Sequence, residues 1–237
     1  MKKPLLSIVI PAKNEARYIG RTLDAIASQT GIPAHTPIII ADAGSTDATI
    51  EIISQYSGLL NISVVDGGLP SVGRNKGAAH TDSEYILFLD ADVTPGEPDT
   101  ISKALQLAIE KNLDLVSTHI HSVNGNFVDK CFWQLHGLAS TTKIVGAFAA
   151  GMFILIKSET FRKLRGFDET IALGEDWELT HQVRPEKFQV SESYINTTNR
   201  RFSAQGYLRT FYQYIMVASS ERYRHQKHTE YFDVHYN

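Results

Sequence analysis

The sequence of 237 residues contains a single cysteine, Cys131. One cysteine excludes an intramolecular disulfide framework and a zinc site built from several cysteines. Basic residues are not in surplus either, because 23 Lys and Arg stand against 26 Asp and Glu and give a formal net charge of -3. This balance argues against a protein that binds nucleic acid mainly by bulk electrostatics.

Long apolar runs are also missing. The longest run, residues 144–156, has 13 residues and contains two glycines, which is too short to span a bilayer. Near the start, Pro11 and charged residues interrupt the apolar segment, so it is unlike a signal peptide. Hydrophobic residues make up 43% of the chain and charged residues 21%, as in ordinary globular proteins. We therefore expect a cytoplasmic globular protein.

Two common nucleotide-binding fingerprints are absent. Neither the Gly-x-Gly-x-x-Gly pattern after the first apolar segment nor a P-loop is present, which excludes a standard NAD enzyme and a P-loop NTPase. Strand-like segments nevertheless alternate with helix-like ones, with strands predicted at residues 5–10, 37–41, 62–65 and 85–89. This alternation predicts an α/β fold with a mainly parallel, doubly wound sheet. The loops after such strands share one edge, where ligands bind.

Asp90 and Asp92 follow the most apolar of the predicted strands. Side chains two residues apart on an extended chain point to the same side, so both carboxylates would reach beyond the strand end. Carboxylates there suit a hard divalent cation that is completed by substrate phosphates. The alternative is a solvated Asp-x-Asp turn.

Other polar residues are predicted at the same edge. Asn14 and Glu15 follow the first strand, Asp42 ends the second, and Arg74 precedes the fourth. An acceptor such as Asp42 can hold the donor groups of a base or ribose. Arg74 can neutralise phosphate or orient the acidic loops.

Six segments, taken in order, resemble the family-2 glycosyltransferases of the GT-A fold. They are residues 8–15, 41–47, 73–78, 88–92, 166–169 and 174–176. The resemblance implies a single α/β domain, with a Rossmann-like, mixed and mostly parallel sheet flanked by helices. It also implies that residues 1–95 form the nucleotide-sugar-binding half, and residues 96–237 the acceptor-binding and catalytic half with a helical C-terminal tail.

The resemblance assigns roles to individual residues of the first half. It implies that the donor site includes Asn14 and that the nucleoside pocket is lined by Pro11, Ala12 and Glu15. Asp42 would contact the base, and Arg74 would brace the site near the base and diphosphate. Asp90 would lie near the ribose or sugar and at the metal, and Asp92 would be the main ligand of Mg²⁺ or Mn²⁺.

In the second half, the resemblance implies that Asp176 is the general base and that Glu175 supports it or binds the acceptor. A carboxylate within hydrogen-bond reach can take the proton of an attacking hydroxyl. The alternative for both acids is the start of a helix, where negative charge is favourable. A helix near the acceptor region is predicted at residues 127–138. Its aromatic side chains have helical spacing, so Trp133 is expected to pack in the core more readily than to contact a ligand. Residues 148–156 predict a strand, in which Gly151 permits close approach of the donor sugar or acceptor.

The tail leaves several readings open. Relatives often use a late histidine as a further metal or diphosphate ligand, but His225, His228 and His235 match no motif. Arg200 or Arg201 would meet either the diphosphate, or solvent or an acidic loop. The amphipathic segment 211–216 would pack on the core, pair in a homodimer or touch a membrane surface.

The implied activity is inverting transfer of a sugar from a UDP- or GDP-linked donor to the hydroxyl of an unidentified acceptor. One alternative is a polyprenyl-phosphate glycosyltransferase, peripheral at the inner membrane face. A sugar-nucleotide pyrophosphorylase is disfavoured because the first loop is not Gly-rich. The non-enzyme alternative is a nucleotide-sugar-binding protein without transfer activity, which the combination of Asp176 with the Asp-x-Asp pattern disfavours.

Overall fold

A computed structural model describes residues 3–144, 146–171 and 173–225, without the side chain of Arg201. Within these ranges one mixed sheet contains eight strands. In chain order they are β1 (Leu6–Ala12), β2 (Ile38–Asp42), β3 (Ile62–Asp66), β4 (Tyr85–Leu89), β5 (Thr94–Pro95), β6 (Leu115–Ser122), β7 (Phe153–Lys157) and β8 (Phe188–Thr197).

Ten α-helices lie between and after these strands in the described part of the chain. They are α1 (Ile19–Ala27), α2 (Thr49–Ser54), α3 (Pro70–Ala79), α4 (Thr100–Glu110), α5 (Phe127–Thr142), α6 (Ser158–Lys163), α7 (Glu175–His181), α8 (Arg200–Gln205), α9 (Tyr207–Ser219) and α10 (Glu221–Arg224). A 3-10 turn spans Pro185–Lys187.

The strand order across the sheet is β3-β2-β1-β4-β7-β6-β8-β5. β1 to β4 are mutually parallel, which confirms the prediction made from the alternating segments. β7 runs antiparallel between β4 and β6, and β8 is parallel to β6 but antiparallel to β5. The whole sheet is therefore mixed, as the family resemblance implies.

The predicted strand at residues 148–156 was only partly right. The strand begins at Phe153, because residues 150–153 form a turn in which the Phe153 amide donates to the Ala150 carbonyl at 3.1 Å. The helix predicted at residues 127–138 is confirmed as α5.

β4 divides the core into two layers. Leu87 and Leu89 belong to the cluster that α1, α4 and α5 cover, whereas Ile86 and Phe88 belong to the cluster that α3, α6 and α7 cover. Every residue of β4 is buried, as expected of a strand that is covered on both faces. The C-terminal end of this strand therefore opens between the two layers.

Two glycines let α3 lie close to the sheet. A Cβ at Gly73 would contact Pro11 and Ala41 at 3.5 Å, and a Cβ at Gly77 would overlap a methyl group of Val9. Pro70, at the first turn, has the fixed φ that suits a helix start. This close packing carries Arg74, the residue after Gly73, to the edge where β1 and β4 end.

We expect Gly77→Ala to lower the free energy of unfolding by about 1–2 kcal/mol, because overpacking against Val9 outweighs the gain in helix propensity. The matched control is Gly20→Ala in α1, where the new Cβ would make ordinary contacts at 3.5–3.6 Å. Gly20→Ala should be neutral or stabilising by up to about 1 kcal/mol. Urea unfolding of both variants measures the difference. A Gly77→Ala protein as stable as Gly20→Ala would contradict the packing of α3.

Candidate functional site

A cavity of about 150 Å³ opens beyond the end of β4. Both halves of the chain line it, with α8 and α9 contributing Arg200, Phe202 and Tyr214. Seven of the predicted site residues reach it: Pro11, Glu15, Arg74, Asp90, Asp92, Glu175 and Asp176. The topology thus gathers residues that are separated by up to 165 positions in the sequence (176 minus 11).

The buried guanidinium of Arg74 joins the two halves. Its Nη1 donates to Oε1 of Glu175 at 2.6 Å, and its Nη2 donates to Oδ1 of Asp90 at 2.8 Å. Nη2 also lies 3.4 Å from the Gly151 carbonyl oxygen, and the guanidinium carbon is 5.4 Å from the Phe167 ring centroid. The side chain is only 3% exposed, so both ion pairs are largely shielded from water.

Gly151 is required by the protein's own side chains. A Cβ there would lie 2.8 Å from Nη2 of Arg74 and 3.4 Å from Oδ2 of Asp176. Its amide donates to that same carboxylate oxygen at 2.6 Å. The close approach predicted for this glycine therefore exists towards Arg74 and Asp176, and its predicted approach to a sugar stays a prediction.

Asp176 lies in the first turn of α7, which starts after Gly174 in the left-handed conformation (φ +87°). Its Oδ1 accepts from the Trp177 amide at 2.8 Å. Burial, and then the neighbouring Glu175, raise the pKa of Asp176, while Arg74 and the backbone amides oppose the rise. A carboxylate with a raised pKa is a stronger base near neutral pH.

The two acids at the start of α7 therefore have different surroundings. Both line the cavity, but Glu175 is buried and pairs with Arg74, whereas Asp176 is half-buried and accepts from the Gly151 and Trp177 amides. Helix capping explains one contact of Asp176, the hydrogen bond that it accepts from the Trp177 amide. It does not explain why the Glu175 side chain points to Arg74.

Arg200 closes the opposite side of the cavity. Its guanidinium makes two hydrogen bonds of 3.0 Å to the carboxylate of Glu15 and lies 3.1 Å from Oδ2 of Asp92. Burial raises the pKa of Glu15 to about 7, although the hydrogen bonds from Arg200 oppose the rise. Of the partners left open for Arg200 by the sequence, the acidic loop is the one it contacts in the structure.

Asn14 and Asp42 tie the loops after β1 and β2 together. Asp42 accepts from the amides of Gly44 and Ser45 at 3.0 Å each and from the Ser45 hydroxyl at 2.5 Å. Oδ1 of Asn14 accepts from the Thr46 amide at 2.8 Å, and the backbone amide of Asn14 donates to the Ser45 hydroxyl. These bonds fix the shape of the sheet edge beside the cavity.

Ala12 is buried in β1, and its carbonyl accepts from the Ala43 amide at 2.8 Å. Ala12, Asn14 and Asp42 lie outside the cavity lining in the described structure. Their contacts with a donor stay predictions.

The acidic groups fit one hard cation that is completed by phosphate oxygens. No cluster of three or more Asp, Glu, His or Cys suited to a metal occurs among the described residues. Asp90 and Asp92 do reach the cavity, and Mg²⁺ is commonly held by one or two carboxylates plus substrate phosphates. His225 lies 3.3 Å from the Thr170 hydroxyl, and His228 and His235 fall outside the described residues.

Trp133 contributes to the cavity although its spacing is typical of core. It is buried in the cluster with Leu87 and also lines the cavity. Its indole N–H has no hydrogen-bond partner in the described part of the chain. Helical spacing could not separate these roles, because the same side chain packs in the core cluster and lines the cavity.

The mixed α/β sheet, with carboxylates and a buried arginine gathered at its strand ends, has the architecture of the GT-A fold. The chain belongs to glycosyl transferase family 2, whose sequence profile matches residues 7–165. None of the helices within the described ranges has the length and apolar content needed to cross a membrane.

Similar sequences are longer than this chain. The poly(ribitol-phosphate) beta-N-acetylglucosaminyltransferase TarS of Staphylococcus aureus is 26% identical over 132 residues, which cover 54% of this chain and 23% of TarS. Chondroitin synthase of Pasteurella multocida is 30% identical over 184 residues, which cover 74% of this chain and 18% of the synthase. The matched region is thus about a fifth of each relative.

Solved structures support the fold. Residues 1–349 of S. aureus TarS with UDP-GlcNAc superpose with a TM-score of 0.67 at 21% identity, covering 81% of this chain and 58% of that one. The Pyrobaculum calidifontis mannosyltransferase PcManGT with GDP-Man and Mn²⁺ gives 0.66 at 15% identity, covering 99% and 73%. The predicted GT-A fold is confirmed.

We expect Arg74→Ala to destabilise the protein by about 3–5 kcal/mol, because it leaves Glu175 buried without its partner. Adding Glu175→Gln should recover part of that loss, since the buried charge is then removed. Chemical denaturation of the two single variants and the double variant measures this coupling.

The matched control for Arg74 is Lys163→Ala, which removes an exposed ion pair with Glu159. Exposed pairs of this kind contribute little to stability, so no measurable change is expected. An Arg74→Ala protein that unfolds at the same denaturant concentration as Lys163→Ala would disprove the structural role of Arg74.

Proposed function

We propose that this chain transfers a sugar from a nucleotide-diphosphate donor to an acceptor hydroxyl, with inversion, in the cavity beyond β4. The single observation that carries the proposal is the Arg74 bridge. One guanidinium binds both Asp90 and Glu175. Asp90 belongs to the predicted donor half, and Glu175 is next to the predicted base. Family membership supports transferase chemistry.

The donor would bind with its diphosphate beside Asp90 and Asp92. These carboxylates would hold Mg²⁺ or Mn²⁺, which offsets the negative charge that the departing diphosphate gains. Arg200 lies on Asp92 in the structure. Donor binding would therefore require Arg200 to give up part of this contact, and its guanidinium is suited to pair with a phosphate instead.

Asp176 would accept the proton of the acceptor hydroxyl. As that oxygen bonds to the anomeric carbon, the bond from this carbon to the diphosphate oxygen breaks, and the proton passes to the carboxylate. Attack opposite to the leaving group inverts the anomeric centre. The raised pKa of Asp176 suits this role, and Glu175 would position the base through Arg74.

We expect Asp92→Asn to reduce the metal-dependent part of UDP or GDP affinity by at least about tenfold, because the change removes a charged ligand from the cation. Calorimetric titration with and without Mn²⁺ measures the effect. The control is Asp82→Asn, which alters an exposed aspartate away from the cavity. Equal metal-dependent affinity in the Asp92 variant and the parent would remove Asp92 from the metal site.

We expect Asp176→Asn to lower the transfer rate by about a hundredfold or more with donor affinity nearly unchanged, because the amide cannot take a proton. Transfer by the parent should fall as the pH drops through the raised pKa of Asp176, since the protonated carboxyl is no longer a base. Donor hydrolysis, followed by nucleotide release, is the assay until an acceptor is identified.

Glu178→Gln is the matched control for Asp176→Asn, because it also removes one negative charge from α7. Glu178 pairs with Arg224 and does not line the cavity. The Glu178→Gln variant should retain the parent's rate and pH profile. An Asp176→Asn protein that turns over at the parent's rate would defeat the assignment. A parent that binds donor but neither transfers nor hydrolyses it would favour the binding-protein alternative.

A further inference from the structure

Two helices beside the cavity present large apolar side chains to solvent. The most exposed on α5 are Phe127, Leu135 and Leu138, and those on α9 are Leu208, Tyr212 and Ile215. Phe127 is 80% exposed and Leu208 is 87% exposed. Monomeric soluble domains seldom expose grouped apolar side chains without an interaction that uses them.

The two stripes face the same side of the molecule. At 3.6 residues per turn, each set of three lies on one helix face. The opposite faces are buried through Trp133 on α5 and Thr210 on α9. The helices touch laterally, since the Phe132 ring centroid lies 5.2 Å from that of Phe211 and 4.9 Å from that of Tyr214. The six exposed side chains therefore form one outward region, termed the α5–α9 surface.

The charges on this surface have one sign. In α5 and α9, both described over their whole length, the exposed charged residues are Lys130 and Arg209. The one acid, Asp129, is buried and accepts hydrogen bonds from the Asn126 amide and the Tyr207 hydroxyl. Lys143, at the end of α5, is not counted among the exposed charged residues, because its ammonium donates to the Pro185 carbonyl oxygen at 2.8 Å. This local excess of positive charge contrasts with the net charge of -3 for the chain.

We propose that the α5–α9 surface docks on an anionic lipid bilayer. Apolar side chains flanked by basic ones suit the boundary between acyl chains and negative headgroups. A symmetric dimer through the same surface would instead bring the basic side chains of two copies together. Trp133 and Tyr214, which line the cavity, belong to the same two helices. Docking would therefore hold the cavity beside the membrane surface, whether or not the proposed transfer chemistry is correct.

Flotation of the full chain with vesicles tests this proposal. The parent should float with vesicles that contain phosphatidylglycerol and much less with pure phosphatidylcholine. Raising the salt from about 0.1 M to about 1 M, which shortens the Debye length from about 10 Å to about 3 Å, should reduce binding. The double variant Leu208→Ser, Ile215→Ser should weaken partitioning by about tenfold or more, because two apolar side chains would no longer insert into the bilayer.

Matched variants separate this surface from general stickiness. Leu135→Ser should weaken vesicle binding, whereas Leu59→Ser should not, although Leu59 is 68% exposed and Leu135 67%. Arg209→Glu should weaken binding to anionic vesicles by about fivefold or more. Arg162→Glu should not, because α6 covers the other face of the sheet. Thermal unfolding confirms that each variant remains folded.

Failure of the parent to bind anionic vesicles would overturn the proposal, as would equal losses in Leu135→Ser and Leu59→Ser. Sedimentation of the parent and the Leu208→Ser, Ile215→Ser protein gives the remaining outcome. A parent dimer that this pair converts to a monomer, with vesicle binding unchanged, would reassign the surface to a second copy. Because no step of this test uses donor or acceptor, its failure is distinct from failure of the proposed transferase reaction.

Discussion

The guanidinium of Arg74 is the interaction on which the site depends. It lies buried between carboxylates from two parts of the chain, Asp90 after β4 and Glu175 at the start of α7. Replacing a buried ion pair by apolar residues is often neutral in stability, but removing one partner is strongly destabilising. We therefore interpret the arrangement as one that specifies position: it fixes the start of α7, and with it Asp176, relative to the end of β4.

Small residues make this arrangement sterically possible. Gly73 and Gly77 let α3 approach β1, and Gly151 leaves room for the guanidinium and for the Asp176 carboxylate. On the other side, Arg200 holds Glu15 and Asp92 together. Four acidic groups are thus kept close by two arginines, which limits the repulsion between like charges. A bound cation or diphosphate would change this balance directly.

The sequence predicted the parts of the fold that depend on local pattern. β1, β2 and β4 are short, continuous apolar runs, and the polar residues at their ends meet because parallel strands share an edge. It did not predict β8, whose residues are half polar and pair with β6 about 70 positions away. The partner of Arg200 also could not be inferred, since it depends on how α8 folds back over Glu15. Likewise, Asn14 and Asp42 were recognised as polar loop residues, but their mutual bracing through Ser45 appears only in three dimensions.

The central claim is that the cavity bridged by Arg74 is a metal-dependent donor site. A crystal structure of the chain with UDP or GDP and Mn²⁺, with anomalous data that locate the manganese, tests it most directly. The account predicts manganese bound to Asp92, the diphosphate in the cavity, Arg200 shifted from Asp92, and the Arg74 bridge to Asp90 and Glu175 intact. Nucleotide bound elsewhere, or Arg200 still on Asp92 with no metal signal beside a bound diphosphate, would contradict it.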